Sequence, residues 1–60
     1  MKAIPAMNVV EGIMMMDEDG EMRLVREVEH HHKKPRTAVC LEPNGNWENH
    51  DFNHAVFVEE

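Results

Sequence analysis

Between Gly12 and Glu59 apolar and polar residues alternate over short runs, and each run closes in a cluster of turn formers. The clusters are "DEDG" (Asp17 to Gly20), "KKPR" (Lys33 to Arg36), "EPNGN" (Glu42 to Asn46) and a fourth bend in "NHDFNH" (Asn49 to His54). Asn44-Gly45 is the clearest, because Asn-Gly adopts the positive φ angles of a tight hairpin at little steric cost. No window sustains the three-to-four-residue apolar spacing of a helix. The pattern predicts strands over Gly12–Asp17, Glu21–His31, Thr37–Glu42, Asn46–Phe52 and Ala55–Glu59. Short strands between closely spaced turns predict an all-β domain, a single small barrel of about five antiparallel strands.

Turn chemistry also predicts register. A two-residue turn at Asp19-Gly20 sets Met15 opposite Leu24, Ile13 opposite Arg26, Met14 opposite Val25 and Met16 opposite Arg23. Ile13, Met15, Leu24 and Val28 then face the core, with a bend or bulge near Arg26 to keep its guanidinium out. A two-residue turn at Asn44-Gly45 sets Leu41 opposite Glu48, Val39 opposite His50 and Thr37 opposite Phe52. Val39, Leu41 and Phe52 join the core, and Val56 and Val58 complete it. Cys40 falls on the outer face beside Trp47 or Asn49, as a surface or half-buried thiol. Met14, Met16, Phe57 and Trp47 are left on the outside. If the first and last strands pair, Met14, Met16 and Phe57 lie side by side.

The 60 residues suffice for one domain, 1–60, with 1–8 as an extended N-terminal arm. A chain this short hides only about 60% of the surface its unfolded form exposes, which leaves no room for a deep, walled cleft. A hydrophobic fraction of 42% still predicts a folded chain. The single cysteine forms no intrachain disulfide. The start, broken by Pro5 and Asn8, lacks an apolar run of signal-peptide length, and no stretch approaches the ~20 apolar residues of a membrane span. A cytoplasmic protein without membrane contact is expected. The net charge of -6 opposes generic binding to nucleic acid, whose phosphates require Lys and Arg.

"VVEGIMMMDEDGEMRLVREVEH" (Val9 to His30) resembles the opening hairpin of small SH3-like β-barrel domains of actinobacteria and their phages. The shared features are a Gly, a strand, an acidic turn ending in Gly-Glu, then an Arg and spaced valines. "TAVCLEPNGNWENHDF" (Thr37 to Phe52) is similar to their second hairpin, and "HAVFVEE" to their closing strand. The resemblance implies a fold, an SH3-like barrel, and no activity, since small barrels host unrelated functions. Met14 and Met16 depart from it, standing where polar residues would be tolerated, and so point to a contact surface.

The candidate chemistry is sparse. His30 and His32, two apart on a strand, share a face and could present two imidazoles to one Zn²⁺, with His50 and His54 nearby; the paired-Cys or Cys/His spacing of a structural zinc site is missing. "HHHKKPR" supplies Lys33, Lys34 and Arg36 for an anion, against a plain solvated turn between the second and third strands. "MDEDGE" fails as a calcium loop, since a Gly20 at loop position six leaves Met15 and Arg26 where chelating residues belong. There is no serine or tyrosine, and nothing places Cys40 beside a His and an acid. No enzyme and no cofactor are expected.

The expected function is non-catalytic protein binding through an apolar outer strand face. Met14, Met16 and Phe57 are the anchors and Trp47 a further one, with a protein partner or a second copy as occupant. The family resemblance implies a phage accessory protein that binds a host factor. Two other readings stand beside it. In one, Asp17, Glu18, Asp19, Glu21, Glu27 and Glu29 imitate nucleic acid and block a host DNA- or RNA-binding enzyme. In the other, the histidines form a metal-binding module.

Overall fold

The computed structural model describes all of residues 1–60. Six antiparallel strands form one sheet: β1 (Lys2–Pro5), β2 (Met14–Met16), β3 (Met22–His31), β4 (Arg36–Leu41), β5 (Asn46–Asp51) and β6 (Ala55–Val58), in the order β1-β6-β2-β3-β4-β5. There is no α-helix; a single 3-10 turn, Ala6–Asn8, follows β1. The two end strands, β1 and β5, do not pair, so the sheet is not closed into a barrel. It is rolled, however. The amide of Met7 donates to the carbonyl of Phe52 (3.1 Å) and that of Ala6 to the carbonyl of His54 (2.9 Å), so the 3-10 turn reaches across to the chain just past β5.

Within residues 1–8, Lys2–Pro5 form a strand bonded into the sheet, with Ile4 opposite Val56 on β6. Pro5, which lacks a donor, is tolerated because β1 is an edge strand. Ala6 and Val9 are buried and join Met15, Val25, Val39, Leu41, Val56 and Val58 in the core, with Ile4, Ile13 and Val28 against it.

The first hairpin turns one residue differently from the expectation. The amide of Asp17 donates to the carbonyl of Glu21 (2.8 Å), leaving a three-residue loop, Glu18-Asp19-Gly20. Asp17 Oδ1 accepts the amides of both Asp19 and Glu21 at 2.9 Å, which organises the turn around the aspartate. Gly20, at φ 83, occupies the left-handed position that a three-residue hairpin requires. Met14 therefore opposes Leu24, Met15 opposes Arg23 and Met16 opposes Met22. A one-residue slip exchanges the faces of β3. Val25 goes into the core, and Leu24, expected inside, is 38% exposed.

The bulge expected near Arg26 is present: register shifts between Val25, which opposes Leu41, and Glu27, which opposes Cys40. It returns Val28 to the inner side after Val25. The second hairpin takes four loop residues, 42–45, so Leu41 opposes Asn46 and Thr37 opposes His50. That is a two-residue shift, which preserves faces, and Val39 and Leu41 remain in the core. Phe52, also expected there, lies past the end of β5, half-buried, with its ring edge-on to His30 and His32. The "HHHKKPR" stretch ends β3 with His30 and His31, turns over residues 32–35 and opens β4 with Arg36.

Candidate protein-binding face

β2 is the hinge of the site, since it pairs with β6 on one side and β3 on the other. Met15 opposes Val58, and both are buried. One residue along, Met16 opposes Phe57, and both point the other way, because successive side chains on a strand alternate. Phe57 in turn opposes Ala3 on β1, and Met16 opposes Met22 on β3. Ala3, Phe57, Met16 and Met22 thus form an apolar row across four strands, roughly 14 Å from end to end at the usual strand spacing. A second row follows: Glu59, whose amide donates to the carbonyl of Met14 (3.0 Å), then Met14, then Leu24.

Phe57 is 47% exposed, while Met14, Met16 and Met22 are half-buried by their neighbours. The structure therefore brings together Met14, Met16 and Phe57. It adds Ala3, Met22 and Leu24, which the sequence reading missed; counting a three-residue turn would have placed the last two outside. Trp47, 45% exposed, belongs elsewhere: it lies on β5, with β3 and β4 between it and β2. There it opposes Cys40 and lines a shallow polar groove of about 340 Å³.

The six carboxylates considered as a nucleic-acid mimic fall into two places. Asp17, Glu18, Asp19 and Glu21 sit in the β2–β3 turn, while Glu27 and Glu29 lie along β3 opposite Cys40 and Ala38. Asp17 is already engaged. Its Oδ2 accepts Arg23 Nε at 3.0 Å, with side-chain exposures of 27% for the arginine and 10% for the aspartate. The Glu21 amide first, and the Arg23 side chain second, hold the Asp17 carboxyl below its ordinary value of 3.8. The aspartate in turn holds the Arg23 guanidinium above its usual range.

The histidines separate into two pairs. His30 and His32 flank Phe52, and His30 Nδ1 shares a 2.8 Å hydrogen bond with the buried Thr37 hydroxyl. His50 stacks on His54, with ring centroids 5.2 Å apart, and its Nε2 lies 3.1 Å from Glu48 Oε1. No group of three or more His, Cys, Asp or Glu is arranged to hold a metal ion. Lys33 and Lys34 are exposed at the tip of the β3–β4 hairpin, and Arg36 begins β4 beside Asp51.

Cys40 faces outward and opposes Trp47 as expected, yet it is fully buried rather than at the surface. Arg26 accounts for the difference. Directed outward next to the inward Val25, its Nη2 donates to Cys40 Sγ at 3.4 Å, and the thiol lies 3.5 Å from the Gly45 carbonyl. No helix is long and apolar enough to cross a membrane. Comparison of the chain with protein-family models, with curated proteins and with solved structures found no match.

Proposed function

We propose that the chain is a non-catalytic binding module whose working surface is the outer face of β1, β6, β2 and β3. The observation that carries this reading is the row Ala3–Phe57–Met16–Met22, backed by Met14 and Leu24. A contiguous apolar patch on so small a protein is costly to leave in water and is characteristic of an interaction site. Methionine suits such a surface, because its unbranched, polarisable side chain adapts to a partner's contours. The roll of the sheet, bridged from the 3-10 turn to Phe52, supports a small SH3-like barrel as the finer description of the fold. Together with the size of the chain, that likeness supports a phage accessory protein acting on a host factor.

The test uses immobilised wild type, a Met14→Glu/Phe57→Glu double variant and a Trp47→Ser variant, each exposed to lysate of the native host. The expected result is one protein held by wild type and by Trp47→Ser at high salt and lost by the folded double variant. Once purified, that protein should bind with the same pattern. Equal retention by all three, with release by salt, would overturn the apolar face in favour of the carboxylates, since screening weakens charge contacts and leaves apolar ones intact.

A further inference from the structure

At one border of the apolar face, Met16, Ala55 and Phe57 meet the β2–β3 turn and the β5–β6 bend in a shallow groove of about 260 Å³. One wall is apolar. The other carries Glu18, Glu48, His50 and His54. Glu48 is held in place from both sides: Oε2 accepts the Glu18 amide at 3.1 Å and Oε1 lies 3.1 Å from His50 Nε2. Its side chain is 12% exposed, so the carboxylate is fixed, largely desolvated and aimed by its neighbours. Each carboxylate oxygen keeps acceptor capacity beyond the one bond it makes. The Glu18 carboxylate has no cationic partner.

We infer that this groove receives a basic side chain of a protein partner, an arginine or lysine, with its aliphatic stem across Met16 and Phe57 and its cationic head between Glu18 and Glu48. The inference rests on the binding face proposed above and supplies the chemistry of its occupant. Long basic side chains combine an apolar stem with a charged tip, as this groove pairs an apolar wall with an acidic one.

Charge decides against a second copy of this chain. The apolar rows carry Glu59 within them and are bordered by Glu18, Asp19 and Glu21, and the whole chain has a net charge of -6. Two such faces would set like-charged rims together. The chain's own Lys33 and Lys34 lie at the opposite end of the ten-residue β3, on a tip bordered by histidines and Pro35. A partner with an apolar centre ringed by Arg or Lys satisfies both walls.

The probe is a fluorescently labelled peptide of alternating leucine and arginine, compared with leucine–glutamate and serine–arginine versions by anisotropy, above the histidine titration range. Variants are Glu18→Gln/Glu48→Gln, which removes both charges and leaves one acceptor oxygen on each side chain, enough at position 48 to keep the bond from the Glu18 amide, and Phe57→Ser, each checked for folding by circular dichroism. The leucine–arginine peptide should bind best, weaken roughly tenfold with the Gln pair and weaken further with Phe57→Ser. If the Gln pair binds it unchanged while Phe57→Ser loses it, the basic occupant is wrong and the apolar face stands. If Phe57→Ser binds it unchanged, the apolar face fails as well. Equal binding of the leucine–glutamate peptide, or no binding of any peptide, overturns the inference.

Discussion

The two halves of the sheet treat their outer faces differently. In β4 every residue from Thr37 to Leu41 is buried, so both sides of the strand are covered. Its outward residues, Ala38 and Cys40, lie under side chains from β3 and β5, with Arg26 laid over the thiol. In β2 only Met15 is buried, and the outward Met14 and Met16 continue into exposed Phe57 and Leu24. The β4 half thus covers its outward apolar groups except Trp47 on β5, whereas the β2 half leaves a row open across neighbouring strands. Smallness alone does not explain the open half.

The contrast is sharpest between adjacent methionines. Met15→Ala removes a fully buried side chain and should cost about 2–5 kcal/mol in urea unfolding, a large fraction of the stability of any small domain. Met14→Ala and Met16→Ala should each cost only about 1 kcal/mol, since part of their surface is already solvated. If all three cost the same, the outer face belongs to the core and the distinction between the halves collapses.

Arg26→Ala tests the covered half. Removing the guanidinium uncovers Cys40 and breaks one hydrogen bond, worth about 0.5–1.5 kcal/mol. The clearer readout is chemical. The wild-type thiol should react slowly with a disulfide reagent under native conditions, and the variant several-fold faster. Equal rates would mean that the backbone, and not Arg26, shields the sulfur.

These features were unequally legible in the sequence. Strand positions from Gly12 onward followed from turn formers, and Met15, Val39, Leu41, Val56 and Val58 fell inside because alternation has a period of two. Leu24 and Val25 were exchanged because the loop length depends on Asp17 capping two amides, and one residue of loop inverts a face. The longer Glu42–Gly45 loop did no such harm, because two residues restore parity. β1 was hidden by Pro5 and Asn8, which interrupt a run whose Ile4 and Ala6 nonetheless find the core. The Met14–Met16–Phe57 cluster was readable, given a pairing of the strands that carry them. The burial of Cys40 was not, because it depends on where a long arginine side chain comes to rest.

Phe57→Ser addresses the open half directly. With the ring already half in solvent, stability should fall by about 1 kcal/mol, short of the Met15→Ala loss, while capture of a partner is lost. A loss comparable to that of Met15→Ala would show the ring to be a structural group and remove the centre of the proposed surface.

The smallest expected effect is at the turn that sets the register of the open half. Asp17 accepts the Glu21 and Asp19 amides and the Arg23 guanidinium, and its carboxyl is held below 3.8 in the folded chain. A depressed folded value means that the ionised aspartate favours the fold at all pH above its unfolded value, and that this contribution fades as pH falls below 3.8 toward the folded one. Acid titration of stability should therefore show a small loss in that range that is missing in Asp17→Asn. The pair lies at a turn near solvent, so the loss should also shrink as salt rises. The same titration followed at Val25 and Leu24 would separate two roles for the aspartate. If protonation only trims stability, both amides keep their neighbours until global unfolding. If it frees the hairpin to adopt the two-residue turn, Val25 and Leu24 exchange environments first, and the apolar face loses one of its rows while the β4 half stays intact.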